Sequence, residues 1–117
     1  MSGGRPAPPW PWGWRSMWVI AMFDLPTDTP AARRAYARFR RDLLDDGFTM
    51  MQFSVYARHC ASIDNAEVHV TRMGGKVPAE GEVRFLTITD RQWERIKVFV
   101  GKKRQPARAA PAQLEFF

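Results

Sequence analysis

A single aspartate, Asp24, closes the first apolar run of this sequence, Met17-Trp18-Val19-Ile20-Ala21-Met22-Phe23, just ahead of Leu25-Pro26. A carboxylate at the carboxyl end of a strand, followed by a segment loaded with arginine, suits a site that handles phosphates. A hard cation such as Mg²⁺ keeps several waters and binds through one or two carboxylates plus substrate phosphates. Asp24 is therefore the candidate metal ligand and the candidate catalytic residue, with activation of water for phosphodiester attack as the chemistry. The same carboxylate also suits a plainer task, capping the Leu25-Pro26-Thr27 turn or the first helix. No second acid, histidine or lysine is obviously placed as a general base, and Asp28 reads as the helix cap. Ser54 reads as a strand residue without the histidine pairing of a nucleophilic triad. His59, Cys60 and His69 lack the paired spacing that tetrahedral zinc requires.

The second set of candidates is basic. Arg33, Arg34, Arg38, Arg40 and Arg41 crowd one segment, Arg58 lies in the next, and Lys102-Lys103-Arg104 forms a run near the end. Contact with phosphate needs charge and reach rather than tuned acidity, so Arg33, Arg34, Arg38, Arg41, Arg58, Lys102, Lys103 and Arg104 are candidate nucleic-acid contacts. A solvated helix face partly balanced by Asp42, Asp45 and Asp46 is the plainer account of the first group. For Arg58 the alternative is a salt bridge. The net charge of +6 and the pI near 10.2 point to a polyanionic partner.

The remaining composition narrows the class. A length of 117 residues fits one domain with a real core. Apolar residues make up 45% and charged residues 26%, which argues against a disordered chain. The longest apolar stretch is about one strand long, too short to cross a bilayer, so no membrane association is expected. The lone Cys60 excludes an internal disulfide and fits a reducing cytoplasm.

These residues must be positioned by alternating strands and helices. Residues 17–24 are apolar on both faces, as in a central, covered strand. Asp28-Thr29-Pro30 starts a helix whose stripe is Ala32, Ala35, Tyr36, Phe39 and Leu43, and Gly47 ends it in the left-handed conformation. Residues 48–59 read as one long extended run, with Gln52, Ser54, Tyr56 and Arg58 on one face. A bulge or turn would divide it into two strands. A second helix is expected over about 62–73, with Ser62 as cap, and a third strand over 83–89. Asp90 begins a short turn carrying Trp93, and Ile96 to Val100 reads as a fourth strand. The result is an α+β sandwich, a mostly antiparallel sheet with both helices on one face. Tyr56 and other large side chains are expected on the opposite face, and dimerisation is the cheapest way to cover them. Residues 1–16 read as a Pro/Trp/Gly-rich extension, residues 17–101 as the domain, and residues 102–117 as a basic linker followed by a strand for dimer or partner contact.

The ordered set Phe23-Asp24-Leu25-Pro26-Thr27, the arginine-rich helix ending in Asp46-Gly47-Phe48, and Met51-Gln52-Phe53-Ser54-Val55-Tyr56 resembles the small CRISPR-associated protein Two family. Ile88-Thr89-Asp90-Arg91-Gln92-Trp93, Phe99-Val100-Gly101 and Gln113-Leu114-Glu115-Phe116-Phe117 are similar to variants found beside type II effectors. The resemblance covers about residues 17–117. It implies a ferredoxin-like fold, a homodimer, and a role in spacer acquisition in which the dimer bridges dimers of the integrase, protein One, and holds foreign double-stranded DNA. It also implies a possible Mg²⁺-dependent endonuclease acting on RNA or DNA, with Asp24 contributed by both protomers. An RNA-binding module of the RRM type is disfavoured, because Lys97-Val98-Phe99-Val100-Gly101 does not match that family's aromatic signature.

Overall fold

The computed structural model describes residues 16–101 and the short strand 103–105. The first strand, β1 (Met17–Asp24), lies between β3 (Val55–Cys60) and β4 (Glu82–Thr89), and β2 (Thr49–Gln52) extends the sheet beyond β3. All neighbours are antiparallel, in the order β2-β3-β1-β4. Helix α1 (Pro30–Asp45) connects β1 to β2, and α2 (Ile63–Gly74) connects β3 to β4. This β1-α1-β2-β3-α2-β4 succession is the ferredoxin-like α+β arrangement. No helix among the described residues is long and apolar enough to cross a membrane.

The central position of β1 explains its apolar sequence. Met17, Val19, Ala21 and Phe23 enter the main core with Phe39 and Leu43 of α1, and Ala66 and Met73 of α2. Phe23 packs edge-on against Phe39 and Tyr36, and stacks with Tyr56 at 5.7 Å. Such ring pairs contribute about 0.5–1.5 kcal/mol each beyond their buried area. Tyr56 therefore lies on the helix-covered face, opposite to the sequence expectation. The reason is a break at Phe53-Ser54: residues 48–59 form a hairpin, and β2 carries a register irregularity between Met50 and Gln52. Ser54 is a turn residue with φ of 64°, not a strand residue.

The other sheet face has its own small cluster. Trp18 stacks on Trp93 at 3.9 Å and 7°, with Ala57 buried beside them and Ile20, Met51 and Ile88 packed around. Trp93 is delivered by α3 (Asp90–Glu94), whose start is closed by a capping box between Thr89 and Gln92. The fourth strand of the sheet is β4, not Ile96 to Val100. A separate hairpin forms there from β5 (Val98–Val100) and β6 (Lys103–Gln105), so part of the expected basic linker is strand. Residues 1–15, Lys102 and the apolar end of the chain lie outside the described residues.

Helix boundaries follow local chemistry. Thr29, rather than Asp28, caps α1: its hydroxyl accepts from Ala32 N–H at 3.0 Å, because Pro30 occupies the first helical position. At the other end Gly47 has φ of +91°, and the amides of Gly47 and Phe48 bond back to Leu44 and Leu43. This is a Schellman closure, and it buries Phe48. Ser62 caps α2 by accepting from Asn65 N–H at 3.1 Å.

Candidate nucleic-acid interface and the Asp24 strand end

Asp24 is exposed at the end of β1, directly opposite Glu82 of β4 in the sheet register. Gly81 fixes the backbone there. Its φ is +91°, and a Cβ on it would lie 2.7 Å from the Asp24 carbonyl oxygen and 2.8 Å from Leu25 Cδ2. Only glycine allows this approach, so the loop entering β4 clamps the strand end that presents the carboxylate. Glu82 accepts hydrogen bonds from Arg84 Nε and Nη2 at 3.2 and 3.1 Å, which leaves Asp24 as the acid on that rung without an ion pair among the described residues.

The opposite side of the same strand end is a bonded turn. The Phe23 amide donates to the Ser54 carbonyl at 3.1 Å, which fastens the turn residue after Phe53 to the end of β1. The hydroxyls of Tyr36 and Ser54 are 2.9 Å apart, tying α1 to this turn. Phe53 stacks on Tyr36 with ring centroids 6.0 Å apart and remains 76% exposed. Tyr36 also lines an open groove of about 250 Å³ with Leu25, Pro26, Thr29, Ala32 and Pro78.

As a metal site, the single chain offers little beyond Asp24. Among the described residues no three His, Cys, Asp or Glu side chains cluster in a way that would hold an ion. One exposed carboxylate fits a hard, oxygen-preferring cation that keeps most of its waters and takes its other ligands from phosphate. The nearest acid in the sheet register, Glu82, is engaged by Arg84.

The basic residues divide by environment. Arg34, Arg38 and Arg41 are exposed on α1 at spacings of four and three residues, so they share one stripe about 10 Å long. Their side chains make no hydrogen bond or ion pair among the described residues. Helix α1 carries five arginines against two aspartates. Arg33 is different, since its Nη1 donates to the Thr27 carbonyl at 3.0 Å and closes the β1–α1 connection. Arg58 turns to backbone as well: Nε donates to the Asp46 carbonyl and Nη1 to the His59 carbonyl, both at 2.7 Å. Lys103 and Arg104 belong to β6.

Two histidine pairs brace the frame. His69 Nδ1 donates to Asp46 Oδ2 at 2.7 Å, and Arg72 Nη1 donates to Asp46 Oδ1 at 2.6 Å. An ionised carboxylate only accepts, which assigns the proton to the imidazole nitrogen. Burial pushes the Asp46 carboxyl up, but the hydrogen bonds and charges of His69 and Arg72 outweigh it, and the group is held below its ordinary value. On the other face Asp90 accepts from Ser16 Oγ and sits 3.0 Å from His59 Nε2. The aspartate is the middle member, so serine and histidine are not paired as nucleophile and base. Burial raises the Cys60 thiol above its usual range, with Arg58 opposing, which leaves it a packing residue. Neither Asp46-His69-Arg72 nor the Phe53-Tyr36 stack was expected from sequence.

The fold is a small basic α+β domain of ferredoxin-like topology, with an arginine stripe on α1 and an exposed acid at the end of β1. Residues 17–96 match the family described as CRISPR associated protein Cas2, and the chain belongs to that family. It is 78% identical over 101 residues to the CRISPR-associated endoribonuclease Cas2 of Parvibaculum lavamentivorans, covering 86% of this chain and 100% of that one. The protein of the same name from Flavobacterium psychrophilum is 45% identical over 104 residues, 89% of this chain and 90% of the other. CRISPR-associated endoribonuclease Cas2 2 of Rhodospirillum rubrum is 40% identical over 111 residues, 92% of this chain and 99% of its own.

Proposed function

We propose that this chain serves spacer acquisition as a cytoplasmic homodimeric scaffold that binds foreign duplex DNA through its phosphate backbone and bridges dimers of the CRISPR integrase. The observation that carries the reading is the stripe of Arg34, Arg38 and Arg41, exposed and without ion pairs among the described residues. Three guanidinium groups on one helix face offer charge to successive phosphates and no means of reading bases. Arg33 and Arg58 act mainly by fixing backbone in this scheme, and Lys102, Lys103 and Arg104 supply further charge. The apolar exposure of Phe99 and Val100 on β5, 62% and 61%, supports a strand contact with a second copy or with the integrase. The test is duplex affinity of the full chain as a function of salt. The affinity is expected to fall steeply with salt and to vary little with base sequence; a salt-independent affinity contradicts the reading.

A second reading is a Mg²⁺-dependent endoribonuclease or DNase at a pair of Asp24 carboxylates. It is supported by the relatives' being named endoribonucleases and by the exposed, clamped position of Asp24. Mg²⁺, when bound, would supply charge neutralisation at the scissile phosphate and a more acidic water. The residues of this chain would hold one side of that ion and orient the strand over it. Nuclease activity that survives Asp24→Ala contradicts this second reading.

A further inference from the structure

Phe53 is the most exposed of the large apolar side chains among the described residues, and it is not loosely placed. Its ring lies over Tyr36 with an angle of 20° between planes. The residue after it, Ser54, holds φ of 64°, a left-handed conformation that a non-glycine residue adopts at a cost. That turn is fastened twice, by the Tyr36–Ser54 hydroxyl contact at 2.9 Å and by the Phe23 amide on the Ser54 carbonyl at 3.1 Å. The protein thus keeps an aromatic face in water, on a fixed mount, at the strand end that carries Asp24. The core does not require it, since Tyr36 already packs on Phe23 without it.

We propose that Phe53 is a stacking platform for one unpaired nucleobase of the bound polyanion. Every base has an apolar π-face, and an exposed aromatic beside a basic surface is how proteins hold single strands without reading sequence. Tyr36 backs the ring, so little side-chain freedom is lost when a base stacks on its outer face. Arg40, four residues after Tyr36 on α1, is exposed on the same side of the helix and supplies charge for an adjoining phosphate. A paired duplex has its bases stacked on one another and offers Phe53 nothing. The site therefore adds a preference for unpaired segments, in RNA or DNA, to the backbone binding on which this inference rests.

The test uses the full chain with three probes: oligo(dT), oligo(U), and a fully paired blunt duplex, each single strand also carrying one 2-aminopurine. Phe53→Ala is expected to weaken single-strand binding roughly 5- to 100-fold and to relieve the 2-aminopurine quenching. Phe53→Trp is expected to restore both, and neither variant should change duplex affinity. Equal effects on dT and U strands identify the base face as the ligand; a loss confined to U identifies an RNA site. The proposal is overturned if Phe53→Ala binds single strands as the unsubstituted chain does, or if it loses duplex and single strand alike, as a partner contact or folding role would dictate. If salt-dependent duplex binding is seen while single strands are unaffected by Phe53→Ala, only the stacking site fails. If the unsubstituted chain shows no salt-dependent binding at all, the scaffold reading fails with it.

Discussion

The hydroxyl of Tyr36 lies 2.9 Å from that of Ser54, a bond that joins the middle of α1 to the β2–β3 turn. Ser54 stands in a left-handed conformation with no glycine to ease it, so this contact offsets part of the cost of the turn. Tyr36→Phe keeps the ring that packs on Phe23 and Phe53 and removes only the hydroxyl. A net loss of about 0.5–1.5 kcal/mol is expected. Urea unfolding checks it: the midpoint falls while the slope is unchanged. An unaltered midpoint would mean that the turn is held by packing alone.

Asp46 joins the end of α1 to α2 through His69 and Arg72. Its folded carboxyl is held below the ordinary value near 3.8. A depressed carboxyl contributes stability that is fully present above the unfolded value and is lost as pH falls through the folded one. Stability should therefore decline in acid below about pH 4, partly through this group. Asp46→Asn is expected to be less stable at neutral pH and to show a smaller acid-linked decline. Thermal unfolding of both proteins between neutral pH and acid measures the difference. Parallel pH curves would remove Asp46 from the account.

Gly81 is expected to be the least replaceable residue of the Asp24 strand end. Alanine there brings a Cβ within 2.7 Å of the Asp24 carbonyl, and the positive φ adds backbone strain. Gly81→Ala should cost more than about 1 kcal/mol, well above an ordinary surface substitution. It should also disturb the amides of Asp24 and Leu25 in a two-dimensional NMR spectrum while those of α2 stay in place. A spectrum perturbed throughout would show that the clamp is not local.

Much of this frame is legible in the sequence. The apolar run of β1, the stripe of α1, the Ser62 cap and Gly47 each carry a local signal strong enough to survive folding. Thr29 and Asp28 are both capping types one residue apart, and only the position of Pro30 separates them. The hairpin break at Phe53-Ser54 has no such mark, because the alternation of Met51, Phe53, Val55 and Ala57 runs straight through it and the turn uses serine where glycine is usual. The unbroken alternation puts Tyr56 on the face opposite to the helix-covered one that it occupies. Ile96 to Val100 is apolar enough for a strand, but which sheet it joins depends on Lys103–Gln105, a basic stretch with linker composition. The Asp46–His69 bond spans 23 residues, and the Tyr36–Ser54 bond spans 18; no spacing rule foretells either.

Integration of a short duplex into a repeat array by this chain and its integrase partner tests the central claim most directly. The claim is that phosphate contacts from α1, rather than chemistry at Asp24, carry the work. Asp24→Ala is expected to integrate at the unsubstituted level. Combined replacement of Arg34, Arg38 and Arg41 by alanine is expected to lower integration about tenfold or more at physiological salt, since three fewer counterions are released per chain. Loss of integration in Asp24→Ala, with the arginine variant integrating normally, would contradict the account.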